Sequence, residues 1–181
     1  MKKVDIKEFI YFWEKYYDER KYPDKEIYYP YIHDLTKNNF LDKLWEWKMR
    51  EKFYTPNNQR ALERMKTSIE IIRDFRKSNP SFHELYNFSR KIFKSGPVYL
   101  AFLIHICKPN DYPIFDQHVF RAFTFLTTKK IVDKPKDIQD YLNYRKFVFQ
   151  IHKKYKISLR DIDKGLMAFG QFLTSPQKLK K

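Results

Sequence analysis

The stretch "SFHELYNFSRKIFKSGPVYLAFLIHIC", residues 81–107, decides the fold. Its first half sets Phe82, Leu85, Phe88 and Ile92 on one face at helical spacing. Ser81, with Glu84 three residues on, forms a capping box that satisfies the first free backbone amides of that helix. Lys94, Ser95 and Gly96 then make a tight turn. Pro97 suits the first position of a second helix, where its missing N–H is not needed. From Val98 to Cys107 this second helix is apolar on every side, which makes it the central, buried one. "KPNDYP", residues 108–113, breaks it.

Outward from this hairpin, apolar residues recur at helical spacing almost throughout. Ile6, Phe9, Ile10, Trp13 and Tyr17 predict a first helix, and Phe40, Leu41, Leu44 and Trp47 a second. Leu62, Met65, Ile69, Ile72 and Phe75 predict a long third. "YPDKEIYYPYIHD", residues 22–34, is a proline-broken connection. Further helices are expected at residues 116–127, 136–155 and 158–174, with "SPQKLKK" as a frayed basic tail. The chain has only three glycines, whereas all-β proteins need many in turns. The expected fold class is therefore all-α, with about eight helices.

Net charge is +15 over 181 residues, a field that draws polyanions. Nucleic acid is the first candidate and an anionic membrane surface the second. AT-rich codon usage is a third explanation, since it inflates lysine without any function. Cys107 is the single cysteine, so an intrachain disulfide and a cysteine-held iron–sulfur or zinc site are excluded. Its apolar surroundings read as those of a buried thiol, not a nucleophile. No stretch reaches the roughly 20 apolar residues of a membrane span. The N-terminal segment lacks a signal-peptide pattern, so the expected setting is cytoplasmic, nucleoid-associated, with no membrane partner.

Chemistry is concentrated in "YPIFDQHVFRAFTFL", residues 112–126. Asp116 opens a helix after a proline turn, and aspartate is a strong N-cap whose side chain would accept the amide of His118 or Val119. A structural cap accounts for it alone. A cap position also fixes a carboxylate rigidly, and the helix dipole favours its ionised form. Such an anion is suited to stabilising positive charge that develops on a sugar when a glycosidic bond breaks. Twenty residues earlier, the turn at Gly96 lets the backbone approach another molecule closely. The free amides beyond it, with Lys91 and Lys94 beside them, would suit a phosphate; a plain αα-hairpin explains the same residues.

Together, "PIFDQHVFRAF" and "KSGPVYLAFL", at this spacing, resemble the helix-hairpin-helix (HhH-GPD) DNA glycosylase superfamily over roughly residues 81–126. The first looks like the segment carrying that family's catalytic aspartate, and the second sits where the family has its DNA-binding hairpin. The resemblance implies a single helical domain, 1–181, with two lobes around a DNA groove. One lobe would be central, 57–126, with the hairpin, and the other would pack 1–56 with 127–181. It implies base-excision repair: hydrolysis of the N-glycosidic bond of a damaged or mispaired base in double-stranded DNA, with that base flipped out. Asp116 would be the catalytic carboxylate. Lys91, Lys94, Ser95, Gly96 and Pro97 would grip a backbone phosphate. His118 and Arg121 would either reach DNA or lock the aspartate; without a function they are a polar helix residue and a core-edge ion-pair former.

The departures from the family pattern narrow the activity. Bifunctional relatives carry a lysine amine just after the hairpin glycine; here Val98 stands there, and valine cannot form a Schiff base. The implied enzyme is therefore monofunctional. The usual hairpin has two glycines and this one has Gly96 alone. The alternative is a non-catalytic DNA-binding protein that retains the fold. No metal and no iron–sulfur cluster is implied, the hairpin leaves room for a monovalent cation, and a monomer is expected.

Overall fold

In the computed structural model, residues 5–94 and 96–174 are described, and among them every regular element is helical. Ten α-helices follow one another: α1 (Ile6–Glu14), α2 (Tyr29–Ile32), α3 (Phe40–Met49), α4 (Pro56–Lys66), α5 (Ile69–Lys77), α6 (Phe82–Phe93), α7 (Pro97–Cys107), α8 (Gln117–Thr128), α9 (Ile138–Tyr155) and α10 (Leu159–Phe172). A π-helical turn at Asp24–Tyr28 leads into α2, and a 3₁₀ turn at Arg50–Lys52 follows α3.

The expectation of about eight helices is corrected to ten by two local features. The connection at residues 22–34 carries the short α2, in which Pro30 takes an early helical position that needs no N–H. The long third helix is two helices, because Thr67 and Ser68 interrupt it. Thr67 Oγ1 donates to the Arg64 carbonyl at 2.9 Å, and Ser68 leaves helical geometry at φ −114°, ψ 20°. Hydroxyl residues compete in this way for helix carbonyls. The other helix starts follow their caps. Ser81 and Glu84 form the reciprocal capping box of α6, while Asp116, Asp137 and Ser158 cap α8, α9 and α10.

The chain divides into two compact units. The first takes in the described residues of Met1–Tyr17, Gly96–His105 and Asn110–Lys181, and the second those of Asp18–Ser95 and Ile106–Pro109. In the second unit, Leu41, Leu44, Trp45, Leu62, Met65, Ile72 and Leu85 are buried core. The Trp45 indole donates to the Asn58 carbonyl at 3.0 Å. Arg76 donates to the carbonyls of Ile32 at 2.8 Å and Ile106 at 2.6 Å, tying segments distant in sequence. Cys107 is buried and its thiol is pushed up to about 12 by desolvation, so it stays protonated and unreactive in the folded chain.

In the first unit, α10 packs against α1 and α8, and the apolar residues Leu100–Ile104 of α7 are buried. Two glycines make the α10 contacts close. A Cβ on Gly165 would stand 2.8 Å from the Ile10 carbonyl oxygen. A Cβ on Gly170 would stand 1.9 Å from the His118 carbonyl oxygen, far inside van der Waals contact. Both obstructing atoms belong to backbone, which cannot rotate aside. Gly170→Ala should therefore destabilise the fold by about 3 kcal/mol or more, read as a lower denaturant midpoint. An unchanged midpoint would show that α8 and α10 do not meet at this contact.

Candidate active site around Asp116

The approach to Asp116 is held residue by residue. Tyr112, Pro113, Ile114 and Phe115 are all buried. Three successive carbonyls are each taken by a different side chain. Arg145 Nε donates to Asp111 at 2.7 Å, His105 Nδ1 meets Tyr112 at 2.6 Å, and the Tyr141 hydroxyl donates to Pro113 at 3.2 Å. A carbonyl only accepts, so His105 Nδ1 carries a proton. The Phe115 ring packs between Tyr141 and Tyr144, each 5.2 Å away between centroids. The chain thus arrives at residue 116 with little freedom left.

Asp116 takes an extended conformation, φ −150°, ψ −179°, and caps α8. Its Oδ1 accepts the amides of His118 at 2.7 Å and Val119 at 3.0 Å. The side chain is half-buried. Two amides and the α8 dipole favour the ionised carboxylate.

One turn on, Arg121 is buried, and the structure turns its guanidinium inward. Nη1 donates to the Gly170 carbonyl at 3.1 Å and approaches His118 Nδ1 at 3.1 Å, while Nε pairs with Asp133 Oδ1 at 2.8 Å. Guanidinium only donates, so His118 Nδ1 accepts and a neutral His118 ring carries its proton on Nε2. Arg121 thus ties α8 to α10 through Gly170 and to the following segment through Asp133. His118 is half-buried beside it.

A second carboxylate, which its own sequence neighbours do not mark, lies in the same unit. Asp163 of α10 is only 2% exposed and is ion-paired with Arg160. Arg160 also donates to the Tyr17 hydroxyl at 2.6 Å. Lys164, buried as well, sits over the Tyr17 ring 5.1 Å from its centroid. The Tyr144 hydroxyl donates to Asp163 at 3.4 Å. Burial pushes the Tyr144 phenol well above its ordinary value, and the charges of Asp163 and Asp116 add to the rise. Tyr144 is therefore a neutral donor standing within the field of both carboxylates. The available signal was position: Asp163 follows Ile162 and precedes Leu166 by three residues, on the flank of the apolar face.

The hairpin residues divide between the units. Lys91 and Lys94 are exposed in the second unit, and Lys94 closes α6 at φ 30°. Lys91 also borders a groove of about 390 Å³ walled by Ile71, Phe75, Phe88 and Ile92. Ser95 lies outside the described residues. Gly96 precedes α7, which Pro97 opens, in the first unit. Gly96 adopts φ +92°, where a side chain would be strained, and its would-be Cβ meets the Tyr99 ring at 3.1 Å. Asp116, His118 and Arg121 are together in the first unit. Of the aromatic side chains, Trp45, Trp47 and Phe169 are buried. Trp13 and Tyr99 are half-buried. Among the described residues no group of three His, Cys, Asp or Glu could hold a metal ion, and no helix is long and apolar enough to cross a membrane.

Set against models of known protein families, curated proteins and solved structures, the chain matches none.

The cap makes its own prediction. Asp116→Ala should cost about 1 kcal/mol, and Asp116→Asn only a few tenths, because asparagine caps as well as aspartate. Urea unfolding of both variants measures this; equal losses would show that the cap hydrogen bonds do not carry the stability of the α8 start.

Proposed function

We propose that the chain is a monofunctional DNA glycosylase that hydrolyses the N-glycosidic bond of a damaged or mispaired base. The observation that carries this reading is the placement of Asp116: a half-buried carboxylate with one oxygen fixed by two amides, at the end of an approach pinned at three carbonyls. Electrostatic stabilisation is most effective when the charged group is already in place and need not reorganise during the reaction. As the base departs, positive charge develops at the sugar C1′. A fixed carboxylate beside it lowers that barrier and can accept a proton from the water that attacks C1′. The water's oxygen ends on C1′, its proton is carried off, and the bond electrons leave with the base.

The resemblance around residues 81–126 supplies the substrate class, and the charge of +15 agrees with a polyanionic partner. Exposed Lys91 and Lys94 and the Gly96 turn would contact backbone phosphate. Arg121 and His118 would act as positioning residues for the α8 start. The second reading is a DNA-binding protein without catalysis; it is favoured by the single hairpin glycine and by Val98.

One measurement separates these readings, and a second tests the phosphate contact they share. Duplex oligonucleotides carrying uracil, oxidised guanine, alkylated purines or mismatches should give alkali-dependent strand breaks with wild type and none with Asp116→Asn. Breaks made equally by Asp116→Asn would remove the aspartate from the chemistry. Lys94→Glu should weaken binding to every duplex alike, since phosphate contacts carry no sequence information. A loss confined to one substrate would contradict a phosphate role.

A further inference from the structure

The segment after α8, "KKIVDKPK" at residues 129–136, is exposed almost throughout, yet it is anchored along its length. Lys129 ends α8 in the left-handed conformation at φ 61° and reverses the chain. The Lys130 amide then donates to Thr128 Oγ1 at 3.2 Å, and the Val132 amide to Thr124 Oγ1 at 3.3 Å. Asp133 accepts from the buried Arg121 at 2.8 Å. Thr128, Thr124 and Arg121 lie on successive turns of α8, about 6 and 4.5 Å apart along the axis. The segment therefore runs back beside α8 toward the end that carries His118 and Asp116. The Lys136 amide, bound by Asp140 at 2.7 Å, fastens its far end to α9.

What this segment presents is unusual for a solvent-facing connection. Ile131 is 46% exposed and Val132 37%, two adjacent β-branched apolar side chains in water. Lys129, Lys130, Lys134 and Lys136 flank them, all exposed, and among the described residues none of the four has an ion pair. The nearby carboxylates are already engaged. Asp133 faces Arg121, Asp137 caps α9, and Asp140 holds the Lys136 amide. With Arg121, five cations stand against three carboxylates over this region, and the four lysines are the outward charges.

We propose that residues 129–136 form a second DNA-contacting surface, in which the four lysines meet backbone phosphates and Ile131 with Val132 enters the duplex as an apolar wedge. Proteins that insert apolar side chains between base steps unstack them, and this segment is fastened to α8, the helix that Asp116 caps. The inference rests on the reading of this chain as a DNA-binding protein and adds a site to it. An anionic membrane would also receive lysines around two apolar residues. Duplex DNA is favoured because the segment is folded back against the helix that carries the candidate carboxylate.

The test compares full-length wild type, a variant with alanine at Lys129, Lys130, Lys134 and Lys136, and an Ile131→Ser/Val132→Ser variant. Lys94→Glu serves as the hairpin control. Binding to an intact duplex, and to one with a stable abasic analogue, is followed against salt concentration. The four-alanine variant should lower the slope of log affinity against log salt by about 0.9 for each lysine that meets phosphate. The serine variant should keep wild-type affinity for intact duplex and lose at least threefold of any preference for the abasic duplex. If Lys94→Glu weakens binding while both segment variants match wild type, the DNA reading stands and this inference fails. If wild type shows no salt-dependent duplex binding, both fail. Segment-dependent binding to phosphatidylserine vesicles without duplex binding also overturns the proposal.

Discussion

The first unit depends on one close approach: Gly170 of α10 against the backbone of His118 in α8. No side chain fits between them. That proximity lets Arg121 donate to the Gly170 carbonyl while also facing His118 and Asp133. One buried guanidinium thus joins α8, α10 and the segment after α8. Losing it would leave Gly170 with an unmet carbonyl in an apolar surrounding, a cost of about 1–3 kcal/mol. The Asp116 cap sits on the helix turn that this network immobilises.

Two kinds of rigidity meet at Asp116. From the N-terminal side, Arg145, His105 and Tyr141 hold carbonyls 111–113. From the C-terminal side, the Arg121 network holds the start of α8. An ordinary cap needs neither. The neutral Tyr144 and the buried Asp163 extend this polar cluster into the interior, where Arg160 compensates the second carboxylate. A buried carboxylate without such a partner would be strongly unfavourable.

Most of the helices were legible because their signals are local. The capping box at Ser81 and Glu84, the cap at Asp116 and the all-apolar run of α7 need only neighbouring residues to act. The break between α4 and α5 was not legible, because a threonine and a serine in an apolar-periodic stretch are also compatible with a continuous helix. The site was legible in part. Asp116 declares itself through the proline turn and the helix that follows. The inward turn of Arg121 and the burial of Asp163 depend on Gly170, Asp133 and Tyr144, which lie 12 or more residues away in the chain. The segment at 129–136 looks like plain linker in sequence, since its hydrogen bonds to α8 use side chains that any helix might expose.

The central claim is that a rigidly held Asp116 breaks a glycosidic bond. The most direct measurement is mass-spectrometric detection of free base after a single turnover, with enzyme in excess over lesion-bearing duplex. The account predicts free base and an equal amount of abasic site in an unbroken strand. Duplex bound in full, with no free base released from any lesion, would contradict it.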